Sequence, residues 1–85
     1  MKNPHYKTIY LSYYASLREK RGKTEERIET SVSTVHELYQ ELQEQNEFNL
    51  SEDSLKVAVN NVFSSWQTEL KSGDRVVFIP PVAGG

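Results

Sequence analysis

The chain has no cysteine, only two histidines, three prolines and four glycines, and each scarcity closes off a class of chemistry. Without cysteine there is no disulfide, no thiolate metal ligand and no cysteine nucleophile, so stability must come from packing and hydrogen bonds. The same absence suits a reducing compartment, and a cytoplasmic location is expected. His5 and His36 stand far apart with no third ligand at metal spacing, so no metal site is expected. The glycines occur singly or at the end, which leaves no glycine-rich loop to cradle a phosphate. Ten basic against 12 acidic residues give a net charge of −2, too little cationic field to gather nucleic acid or an anionic membrane. No apolar run approaches the roughly 18 residues that span a bilayer. The opening MKNPHYK lacks the apolar core of a secretion signal, so the expected molecule is soluble and unprocessed at its N-terminus. Eighty-five residues hold one small core, and a second domain is excluded.

What is present reads as a short series of strands around one helix. In residues 7–15 (KTIYLSYYA), Ile9, Leu11 and Tyr13 fall on one face and Tyr10, Ser12 and Tyr14 on the other, a strand apolar on both sides. Residues 16–21 (SLREKR) are expected to make a helical turn at most, stopped by Gly22. Residues 24–30 (TEERIET) suit a polar edge strand whose charges discourage pairing with another molecule. Thr34 with Glu37 three residues on is a capping box, and Val35, Leu38, Tyr39 and Leu42 give one amphipathic helix over 35–46. Residues 46–54 read as a loop with Phe48 and Leu50 as core anchors. A third strand covers 55–59, the Asn60-Asn61 pair favours a tight left-handed turn, and a short strand returns over 62–66. After a turn at 71–74, residues 75–79 (RVVFI) form the last strand. The first and last strands are the most apolar and should pair centrally. The class is α+β: a roll with a mixed four- to five-stranded sheet and one main helix on one face.

Few residues offer catalysis. Most of the 12 acidic residues lie on the polar strand, the helix exterior or the loop, where carboxylates are simply solvated. Ser64 and Ser65 have no histidine and acid arranged to activate them. Two features stand out instead. Tyr10, Tyr14, Phe63 and the Val77/Ile79 face offer more apolar surface than one helix can cover, whereas a sheet covered on one side should be polar on the other. Such a patch fits burial by a partner protein. The second feature is the ending Pro80-Pro81-Val82-Ala83-Gly84-Gly85. The prolines end the strand and force an extended exit. Six residues at about 3.3 Å each reach roughly 20 Å, and Gly84 and Gly85, lacking Cβ, pass channels too narrow for other residues. The tail reads as a delivery arm for the Gly85 carboxylate.

Residues 70–85 (LKSGDRVVFIPPVAGG) resemble the C-terminus of the small subunit of molybdopterin synthase, a family of sulfur carriers with the β-grasp, ubiquitin-like fold. Tyr13-Tyr14-Ala15 followed by Leu17-Arg18-Glu19 resembles that family's opening, and Thr34-Val35 and Val57-Ala58-Val59-Asn60 fit as well. An N-terminal extension of a few residues and a tyrosine-rich first strand are the departures. The resemblance implies a β-grasp domain over 1–79, with 1–6 disordered, and a flexible tail over 80–85. It implies no bound cofactor. An ATP-dependent adenylating enzyme would activate Gly85, a sulfur donor system would convert it to a thiocarboxylate, and the tail would deliver sulfur to cyclic pyranopterin monophosphate in the large subunit. The chain would then be the sulfur-donating subunit of a sulfurtransferase, not catalytic on its own, in a two-by-two heterotetramer. Gly84 and Gly85 would carry the chemistry, while Tyr14, Phe63, Phe78, Ile79, Pro80, Pro81, Val82 and Ala83 would contact partners. The alternatives are a thiazole-synthesis sulfur carrier, a ubiquitin-like protein modifier, and a ubiquitin-like interaction domain that makes no use of the tail.

Overall fold

The computed structural model describes residues 6–46, 48 and 50–81; the expected disorder of the N-terminus and the four residues after Pro81 fall outside them, apart from Tyr6, which is exposed. The elements are β1 (Lys7–Tyr13), α1 (Ala15–Arg21), β2 (Glu25–Thr30), α2 (Val35–Asn46), a 3-10 turn (Glu52–Ser54), β3 (Lys56–Val59), β4 (Val62–Ser64) and β5 (Arg75–Ile79). They build one five-stranded sheet in the order β2-β1-β5-β3-β4. The first and last strands pair in parallel, and every other pairing is antiparallel. A parallel pair needs a long crossover, and here that crossover carries the rest of the molecule. The polar β2 lies at an edge, as its charges suggest.

Alternation along the strands sorts the two faces. Ile9, Leu11 and Tyr13 of β1, Val57 and Val59 of β3, and Val76 and Phe78 of β5 turn inward and pack with Val35, Leu38, Tyr39 and Leu42 of α2. The helix starts where the capping box places it: the Glu37 backbone N–H donates to Thr34 Oγ1 at 3.3 Å, and the Thr34 N–H donates to Glu37 Oε1 at 3.1 Å. Phe48 is buried, its ring edge-on to Tyr13. The Leu50 carbonyl accepts the Tyr39 hydroxyl at 2.7 Å and Gln43 Nε2 at 3.1 Å, so both expected anchors hold the loop. The turn between β3 and β4 takes φ of 53° at Asn60 and 70° at Asn61. It is tied to the start of β5, since Arg75 N–H donates to Asn60 Oδ1 at 3.0 Å and Asn60 Nδ2 to Asp74 Oδ1 at 2.9 Å.

Three local expectations are corrected. The return strand stops at Ser64, because Trp66 folds under the sheet to stack on Phe78 and its carbonyl accepts the His36 N–H at 2.9 Å. Leu55 closes the 3-10 turn with its N–H on the Glu52 carbonyl and stands outside β3. The larger correction is α1, expected as a single turn and found as a seven-residue helix. Leu17 pins it to the core, and Gly22, at φ 77°, donates its N–H to the Arg18 carbonyl. Arg21 Nη2 and Nε reach the two oxygens of Glu26 at 2.6 and 2.8 Å, and the Tyr13 hydroxyl donates to the same carboxylate at 2.6 Å. This brace joins partners five residues apart across a glycine turn, a spacing that helix periodicity does not reveal.

The Arg21 guanidinium, helped by the Tyr13 hydroxyl, holds Glu26 below the usual carboxylate range against the opposing effect of burial. Burial, and then the bond to Glu26, pushes the Tyr13 hydroxyl far above its ordinary range, so it stays a neutral donor. A depressed carboxylate stabilises the fold fully above its unfolded value of about 4.3, and that contribution disappears as pH falls through the lower folded value. Glu26→Gln should therefore cost roughly 1–3 kcal/mol at pH 7. Its gap from the parent chain, followed by denaturant midpoints, should close as the pH is taken below about 4.

Candidate functional site

The sheet face opposite α2 holds the residues that sequence reasoning flagged as surplus. Ladder registers align them in rows: Ser12 lies beside Val77, Val77 beside Ala58, and Ala58 beside Phe63. In the next row Tyr10 lies beside Arg75, whose guanidinium sits 5.4 Å from the tyrosine ring centre. Ile79 lies beside Lys56. Phe63 remains 70% exposed, Tyr14 49% and Tyr10 37%, so neighbouring loops do not shield this face. Val77 and Ile79 are half-buried. The result is an apolar centre rimmed by Arg75 and Lys56, the composition of a surface that loses water against another protein.

The chain leaves the sheet at the end of β5, an inner strand of this face. Strand β5 ends at Ile79; Pro80 follows and is buried, and Pro81 is exposed. Prolines have no N–H to donate, so the ladder stops where they begin. Two shallow grooves flank the exit and share Ile79, Pro80 and Pro81. One is completed by Asp53, Ser54, Leu55 and Lys56, the other by Tyr14, Ala15, Ser16 and Glu19. In the second groove the chain passes from β1 to α1 abruptly: Tyr14 is extended, and Ala15 takes a left-handed φ of 51°. That conformation costs a non-glycine residue about 1–3 kcal/mol. The Tyr14 carbonyl accepts the N–H groups of Leu17 and Arg18 at 3.2 and 3.4 Å.

Two assigned contact residues must be corrected. Phe78 is fully buried, its ring centre 5.1 Å from that of Tyr39 and 5.9 Å from that of Trp66. It faces inward because strand side chains alternate, and so it anchors the exit instead of meeting a partner. Pro80 is buried as well and braces the strand end. Tyr14, Phe63, Ile79 and Pro81 gather on or beside the outer face, whereas Val82, Ala83, Gly84 and Gly85 lie outside the described residues. Sequence reasoning missed Lys56 and Ala58, whose places on the outer face follow from parity once β3 is registered, and Ala15, whose backbone no sequence signal announces.

Among the described residues, the ionisable side chains that the registers of β1, β3, β4 and β5 place on this face are Tyr10, Lys56 and Arg75, with no histidine or carboxylate beside them. Among the described residues no three histidine, aspartate or glutamate side chains gather where a metal ion would need them. His36 Nδ1 meets Glu52 on the helix side. Tyr39, whose hydroxyl is pushed up to about 12 by burial and then by the Glu52 charge, is a neutral donor. Among the described residues no helix is long and apolar enough to cross a membrane. The arrangement can present a surface and project a peptide.

Comparison with known proteins places this geometry. The ThiS family model matches residues 11–85. The chain belongs to the ThiS family. It is 32% identical over 80 residues to the molybdopterin synthase sulfur carrier subunit of Escherichia coli strain K12, a match covering 91% of this chain and 99% of that protein. A solved structure from Pyrococcus furiosus, a putative molybdopterin converting factor subunit 1, is 32% identical, with a TM-score of 0.74 over 89% of this chain and 99% of the other. SAMP1 from Haloferax volcanii shares the fold at 22% identity and a TM-score of 0.77, covering 92% of this ThiS-family chain and 99% of its own. The family resemblance read from the tail and the opening motif is thereby borne out, and so is the β-grasp roll.

Two aromatic residues of the same sheet, on opposite faces, should behave oppositely in this ThiS-family fold. Phe78→Ala empties a packed site and should cost about 3–5 kcal/mol. Phe63→Lys, at a solvated position, should leave the unfolding free energy measured by denaturant titration within about 0.5 kcal/mol of the parent.

Proposed function

We propose that this chain is the sulfur-carrier small subunit of a molybdopterin synthase. The observation that carries the reading is the juxtaposition of an exposed apolar face with a final strand, ending at Ile79, that the sequence continues through Pro80-Pro81 to Gly84-Gly85. The identity to the Escherichia coli subunit across 99% of its length supports the same conclusion.

The chemistry follows from the end group. A carboxylate is a poor electrophile, so an adenylating enzyme first joins a Gly85 carboxyl oxygen to the α-phosphorus of ATP and releases pyrophosphate; AMP is then the leaving group. A sulfur donor replaces AMP, and Gly85 becomes a thiocarboxylate. Docked through Tyr14, Phe63 and Ile79, the carrier threads Val82, Ala83 and Gly84 into the large subunit, where the sulfur attacks cyclic pyranopterin monophosphate and displaces a substrate oxygen; water then cleaves the thioester so formed, leaving the sulfur on the pterin and releasing the Gly85 carboxylate. Two transfers build the dithiolene of molybdopterin. General acids, bases and substrate contacts belong to the large subunit, consistent with their scarcity on the face described here. The functional assembly is a two-by-two heterotetramer working in the cytoplasm.

A second reading draws on the family's own name and on the SAMP1 fold: the same activated glycine could serve thiazole synthesis or form isopeptide bonds to lysines. All versions share the loading step and differ in the acceptor. Incubation with ATP, a sulfide source and an adenylating enzyme should make the full chain about 16 Da heavier as sulfur replaces oxygen. Deletion of Gly85 should abolish that gain while leaving large-subunit binding intact. Phe63→Lys should instead load normally and bind the large subunit at least about tenfold more weakly, because it places a charge in a desolvated contact. A chain that never gains mass with an enzyme proven on a related carrier would overturn the proposal.

A further inference from the structure

Among the described residues, the non-glycine positions with positive φ are the two asparagines of the β3–β4 turn and Ala15. Asparagine tolerates that conformation, and alanine gains nothing from it locally. The strain is placed where the chain has least freedom. On one side of Ala15, Tyr13 is locked in the core with its hydroxyl on Glu26. On the other, Leu17 is buried and Arg21 grips the same carboxylate. Between these clamps Tyr14, Ala15 and Ser16 form a short arch, and these three residues, with Glu19, are the wall of the groove shared with Ile79, Pro80 and Pro81.

We infer that Ala15 is a positioning residue for the tail exit: its left-handed backbone, confined by its Cβ, fixes the Tyr14–Ser16 wall beside Pro81 and so sets the direction in which the tail departs. A glycine would adopt the same φ freely but would equally adopt many others, loosening the arch without removing a core contact. Ala15 itself is exposed, so a larger side chain that accepts the left-handed region has room. The inference deepens the proposed sulfur-carrier reading, on which its transfer measurement rests.

The test compares Ala15→Gly and Ala15→Asn in the full chain. Glycine removes the confinement, whereas asparagine keeps a Cβ and tolerates the backbone. Both should fold, with Ala15→Gly at least as stable as the parent once strain is relieved. In free protein the 13C shifts of the Ile79 methyls and the Pro81 ring should move in Ala15→Gly and stay in place in Ala15→Asn. In single-turnover sulfur transfer from thiocarboxylated chain to the large subunit, Ala15→Gly should lower the rate at saturation about fivefold or more, as expected for a misdirected reacting group. Its half-saturating concentration should not change, and Ala15→Asn should restore the rate. Parent-like shifts and rate in Ala15→Gly overturn the inference, as does equal damage in both variants, which would point to the methyl group's packing instead of the backbone. Failure of the parent chain to load sulfur overturns the functional reading alone, since the shift comparison still decides the role of Ala15.

Discussion

The burial of Phe78 is the constraint on which the rest depends. Its ring is enclosed by Tyr39 from the helix and Trp66 from the β4–β5 connection, while its backbone lies between Tyr13 of β1 and Val57 of β3 in the ladder. A strand held on both edges and through its side chain cannot slip, because a shift of one residue would exchange its inner and outer faces. Two residues later the ladder ends at a proline. The body of the sheet and the prolines that end its ladder therefore meet within a single step of the chain, at the end of a strand held on both edges.

The same alternation divides labour along β5. Val76 and Phe78 face the core, whereas Arg75, Val77 and Ile79 face outward. Each outward residue meets a neighbour from another strand: Arg75 has Tyr10, Val77 has Ala58 and Ser12, and Ile79 has Lys56. A partner that reads this face thus reads a surface built from β1, β3, β4 and β5 whose centre is the exit strand itself. On the proposed reading docking and tail delivery are mechanically one event, since Ile79 itself belongs to the outer face.

Much of this was legible in the sequence, for identifiable reasons. Period-two alternation exposed the strands, the Thr34/Glu37 box fixed the helix start, and the asparagine pair marked a turn that needs positive φ. Phe48 and Leu50 stood out because apolar residues in a polar loop have little other use. Interactions between residues that neither periodicity nor a motif connects stayed hidden. The Tyr13–Glu26–Arg21 brace lengthened α1 beyond its expected single turn. Phe78 entered the set of contact residues with the family resemblance, although its parity with Val76 directs it inward. Ala15 carried no sequence signal, since alanine is not a residue from which a left-handed turn is read.

A carrier of this kind resolves two opposed demands by separating them along the chain. Its body must be stiff enough to present one surface, yet its working end must enter another protein's cleft, where any Cβ and any competing charge would be costly. The aromatic packing of Tyr39, Trp66 and Phe78 uses the helix-side volume. On the proposed reading the chemistry lies with the partner, and what this chain supplies is geometry: a sheet edge kept polar at β2, a face kept apolar at its centre, and an exit whose walls are set by residues clamped in the core. A carrier built this way can be recognised by its surface and used by its tail, and neither role requires the other to change.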